Sequence, residues 1–109
     1  MVNQTNVIDI ASIENGEDLV LTISDHLEWD ERLEHLFILQ EKINRYLAFI
    51  EGGELESHIP AAKGKKPVIS IVALYHPNES ALEFLERARL TVEGAGVGFR
   101  FCQKHFNSK

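Results

Sequence analysis

The sequence predicts an α+β fold, a two-layer sandwich in which a four-stranded mixed sheet carries two helices on one face in the order β-β-α-β-α-β. Three observations point there. Asn15-Gly16 separates two short segments of strand character, and Asn-Gly is the strongest short hairpin signal because a type I′ turn needs positive φ at both positions. Apolar residues then recur at helical spacing from Leu33 to Ile50. Beyond that helix, a β-branched run, a second helical period and a final alternating segment follow one another.

Each element can be justified in turn. Residues 1–6 are polar and expected to be flexible, and Val7–Ile13 reads as a strand with Ile8 and Ile10 on one face. The return strand, Asp18–Ser24, alternates, with Leu19, Leu21 and Ile23 against Val20, Thr22 and Ser24. After Asp25, His26 and Leu27 comes the long helix, with Asp30 placed to cap it and Glu31 suited to its first turn. Leu33, Leu36, Leu39, Ile43, Leu47 and Ile50 form its stripe, Tyr46 lies on the flank, and Gly52-Gly53 supplies the left-handed residue that ends it. Residues 54–66 read as one long loop, and the apolar run after Pro67 reads as the third strand. Ser80-x-x-Glu83 has the form of a capping box for a second helix, whose stripe is Ala81, Leu85, Ala88 and Val92. Gly94 and Gly96 stop it, and the last strand spans Val97–Lys104 with Phe99 and Phe101 on one face. Two right-handed crossovers in a sheet that keeps moving one way place both helices on the same side.

Composition narrows the function. The chain has 109 residues, the size of a single domain spanning 1–109, and its 44% hydrophobic content is enough to build a core. A formal charge of -6 argues against nucleic acid, whose binding rests on neutralising phosphates, and against anionic membranes; its simplest role is to keep the protein soluble. Cys102 is alone, so no internal disulfide forms. The start, MVNQTNVIDI, lacks a basic stretch followed by an apolar run, and no segment approaches the roughly 18 apolar residues of a membrane span. A cytoplasmic location is the resulting expectation.

One stretch is familiar. Asp25, Trp29, His35-Leu36, Leu39-Gln40, Lys42-Ile43-Asn44, Tyr46-Leu47, Phe49 and Gly53 together resemble a family of small bacterial proteins known only as a domain of unknown function. The resemblance runs from the hairpin through the second helix. It implies a bacterial protein, and it brings no catalytic residue with it.

Catalytic and metal patterns are weak. Of five histidines only His105 has a short-range metal partner, in Cys102-Gln103-Lys104-His105, and a structural zinc wants four ligands. Cys102, expected mid-strand near Arg100 and Lys104, has no identifiable base. Gly94–Gly98 follows a helix and precedes a strand, the reverse of a phosphate loop, so it reads as a turn. Asp25, Glu28, Asp30 and Glu31 suit the start of a helix, and Glu51, Glu54 and Glu56 read as solvated charge. No cofactor is expected.

Two function classes remain. The first is a non-enzymatic protein-interaction module, docking a protein partner or a second copy of itself as a homodimer. Its surface would be the uncovered sheet face, at Val20, Val72 and Leu74, or the side of the long helix bearing Ile38 and Phe49, which fall among Glu31, Glu34, Lys42 and Arg45. Leu90 similarly falls off the second helix's buried stripe. The alternative is a small-ligand-binding domain or minor enzyme acting on an anionic metabolite, held by His58, Lys63, Lys65 and Lys66 with help from His76.

Overall fold

A computed structural model of the chain describes residues 10–25 and 34–103. Strand β1 (Ile10–Glu14) and strand β2 (Asp18–Asp25) form the antiparallel hairpin, joined through Asn15 and Gly16 at φ 55° and 71°. These are the two left-handed positions that a type I′ turn requires. Strand β3 (Lys66–Ala73) pairs parallel with β2, and strand β4 (Gly98–Gln103) pairs parallel with β3. The spatial order is β1-β2-β3-β4, a mixed sheet that advances in chain order.

Register explains the core. Leu21 faces Ile69 and Ile69 faces Phe99, while Ile23, Ile71 and Phe101 form the next row. Helix α1 (Glu34–Glu51) and helix α3 (Glu79–Gly94) cover this side, sending Leu39, Ile43, Leu47, Leu85 and Val92 into one cluster with the strand residues. The predicted fold class and helix placement are therefore observed. Residues 7–9, the proposed cap Asp30, and Leu33 and Lys104 lie outside the described residues.

Three expectations change. The segment 54–66 is not one loop, since it contains helix α2 (Glu54–His58) and a 3₁₀ turn at Pro60–Ala62. Leu55 and Ala62 are the buried anchors that fold it down, and one short turn of helix offers too few residues for periodicity to show. Ser80 is not the cap of α3. Asn78 is, its side-chain oxygen accepting from the Ala81 N–H at 2.8 Å, which places Ser80 inside the helix. Lys42, assigned to the polar side of α1, is 0% exposed. The buried side of that helix is His35, Leu39, Lys42, Ile43, Tyr46 and Leu47.

The sheet face away from the helices is less open than its composition suggests. Glu14 and Arg100 belong to the two edge strands, yet Arg100 Nη1 donates to Glu14 Oε1 at 3.2 Å. Edge strands of a four-stranded sheet stand about 14 Å apart, so the two side chains reach toward each other across this face. Beneath that line the register sets Ser12, Val20, Val68 and Gly98 in a row, and Val20 and Val68 are buried.

Candidate functional site

Two places gather polar side chains where burial gives them meaning. The first follows from helical spacing. His35, Leu39, Lys42 and Tyr46 stand at i, i+4, i+7 and i+11, one face of α1, and that face lies on the sheet. Asp25, at the end of β2, meets this face at its top. His35 Nε2 lies 2.5 Å from Asp25 Oδ2, with both side chains buried. A carboxylate only accepts, so the imidazole donates through Nε2. Lower on the helix, the Lys42 ammonium sits 5.5 Å from the centre of the Tyr46 ring, and the Tyr46 hydroxyl donates to the Thr22 carbonyl at 3.3 Å. Each of Asp25, His35, Lys42 and Tyr46 makes further interactions. The Asp25–His35 pair has the geometry of an oriented base, and both members are buried. What it does here is clamp the start of the described α1 to the end of β2.

The second place is a groove of about 220 Å³ between α1 and α3. Gln40, Ile43 and Asn44 line one side, and Phe84, Arg87 and Ala88 the other. Its floor is apolar and its rims carry amides and a guanidinium. Arg87 is exposed and enters no ion pair among the described residues, in contrast to Arg89. That residue lies between Glu86 and Glu93, and its hydrogen bond to Glu86 is the main cause of its raised pKa. Phe37 stands three and seven residues before Gln40 and Asn44, so it extends the α1 rim, and it is 65% exposed. On α3, Glu83, Arg87 and Leu90 share a face by the same reasoning, with Leu90 59% exposed.

The residues expected to matter are distributed differently. Val20 is buried, at 2% exposure, and Val72 and Leu74 are half-buried. Ile38 and Phe49 are also half-buried and pack against the core, with the Phe49 ring 5.3 Å from that of His58. The Phe49 contact comes from helix α2, within the segment 54–66. The anion-site residues do not converge. Lys63, Lys65 and Lys66 lie at the beginning of β3, where Lys65 Nζ donates to the Gly16 carbonyl at 2.8 Å. His76 lies past the opposite end of that eight-residue strand, with its Nδ1 3.3 Å from Gln103 Oε1. His58 is exposed, its Nδ1 3.0 Å from the Glu54 carbonyl. Cys102 is exposed and in no disulfide, and no group of three or more metal-ligating side chains occurs among the described residues. No helix among them is long and apolar enough to cross a membrane.

A family model described as "Family of unknown function (DUF6572)" matches residues 1–105. The chain belongs to this family. No curated protein and no solved structure matches it. The match agrees with the sequence resemblance, and the geometry gives that resemblance physical content. Of the polar residues that carried it in this DUF6572 member, Asp25, His35 and Lys42 are buried, and Gln40 and Asn44 line the groove. Sequence reading missed the Asp25–His35 pair. Its signal was a histidine and a lysine seven residues apart in step with Leu39 and Tyr46, a spacing that helical geometry places on the buried side.

Proposed function

We propose that the chain is a non-catalytic protein-interaction module whose docking surface is the outer side of the α1–α3 layer. The observation that carries this reading is the exposure of Phe37 and Leu90 on either side of a groove floored by Ile43, Phe84 and Ala88. Large apolar side chains gathered around a concavity, with polar rims, are the anatomy of a protein-binding patch. The sheet face is a poorer candidate because Val20 and Val68 are already buried there. The ionisable groups best placed for chemistry, Asp25 and His35, are buried and point to stability instead.

A photoreactive residue at position 44, on the groove rim, tests the reading in cells of the source organism. A discrete covalent adduct is expected, and excess purified chain should compete it away while its Phe37→Glu variant should not. The same residue at position 13, on edge strand β1, should give no such adduct. Smears at both positions, or nothing at 44, would remove the proposal.

A further inference from the structure

We infer that the occupant of this surface is a second copy of the same chain, docked by a two-fold axis so that the helix layers face each other. The inference rests on the interaction reading above and names its partner. An isologous contact must be self-complementary, because each residue of the patch meets the same patch on its mate. The outer side of the helix layer meets that condition in both apolar and charged terms. Phe37 on α1 and Leu90 on α3 project beside a groove of suitable chemistry to receive an apolar side chain, so the patch carries both knob and hole. The same side presents Arg87 alongside Glu41 and Glu83, and none of the three enters an ion pair among the described residues. Opposed across a two-fold axis, the guanidinium of one copy finds carboxylates on the other, and Gln40 and Asn44 supply hydrogen bonds at the rim.

The helices are long enough to form a broad contact, since α1 has 18 residues and α3 has 16, about 27 and 24 Å of helix side by side. The opposite broad face is the sheet side, where Glu14 and Arg100 already satisfy each other.

Light scattering behind a sizing column, on the full chain across a concentration series, tests this directly. A mass twice that of the chain is expected, falling to the single-chain mass in Phe37→Glu and in Leu90→Glu. Both positions are exposed in the single chain, so both variants should keep the wild-type circular dichroism and a cooperative melt. Leu82→Glu alters an exposed leucine on another flank of α3 and should remain dimeric. A wild-type chain that stays at single-chain mass throughout overturns the inference, as does a dimer indifferent to both substitutions. If that monomer still forms a discrete adduct with a different protein from position 44, the partner named here is wrong and the interaction reading stands. With no adduct either, both fall.

Discussion

Asp25 and His35 each place an ionisable side chain where water cannot replace a lost partner. Removing one member of such a buried pair takes a charge-assisted partner from the other, which typically costs about 3–5 kcal/mol. Asp25→Ala is accordingly expected to lower the unfolding free energy by about 3 kcal/mol in urea titration. His35→Ala should do the same, and the double variant should lose clearly less than the two single losses together, by about 1 kcal/mol or more. Strict additivity would show that the short contact carries no coupling. This residue scale was the least legible in the sequence. Helical periodicity sorts side chains by polarity, so it assigns Lys42 to the wet side of α1 and gives His35 no partner. Burial of a polar group depends on a partner supplied from elsewhere in the chain, and periodicity holds no record of that partner. The tyrosine beside Lys42 and the aspartate above His35 are what reverse the assignment.

At the scale of elements, α3 shows how an N-terminus is chosen between two competing signals. Asn78 and Ser80 are both good cap residues, and Ser80 had the added attraction of Glu83 three positions later. Asn78 prevails because its extended backbone lets its side chain turn back onto the Ala81 N–H, and Leu82 N–H bonds the Asn78 carbonyl to begin the helical ladder. Asn78→Ala is expected to cost about 1 kcal/mol, whereas Ser80→Ala should be close to neutral or slightly stabilising, since alanine is the better residue inside a helix. Thermal melts of the two variants, compared side by side, decide which residue is the cap. The strands and the long helices were legible because their apolar periods extend over several repeats. Helix α2 was not, since its evident apolar anchor is a single residue, Leu55.

For the molecule as a whole, the arrangement of layers followed from connection rules once the sheet is taken to advance one way, while the state of the uncovered sheet face did not. Alternation put Val20 opposite the helices, and the register adds Val68 beside it; alternation could not show that Glu14 and Arg100 would close toward each other over them. Gly98 marks how tightly this side is filled. A Cβ there would lie 2.9 Å from Val68 Cγ2, across the β3–β4 pairing. Gly98→Ala is expected to destabilise by about 1–3 kcal/mol, as overpacking does, and adding Val68→Ala should recover much of that loss. A Gly98→Ala variant as stable as the parent would mean that this side yields freely.

The pairing of β2 with β3 has a consequence for how the chain is made. The hairpin is the sheet's one local pairing, while Asp18 waits for Lys66 and Val68 for Gly98. On the ribosome β2 therefore emerges long before its parallel neighbour, with Leu19, Leu21 and Ile23 uncovered and one backbone edge unsatisfied. At about 5–20 residues per second that interval lasts several seconds, and an apolar strand edge left open so long invites pairing with other nascent chains. The link that ends the exposure is identifiable: Lys66 N–H bonds the Glu17 carbonyl while Lys65 reaches Gly16, so β3 engages the hairpin at its turn first in space. Weakening that latch should leave the finished fold nearly as stable as before and lower the soluble yield of newly made protein.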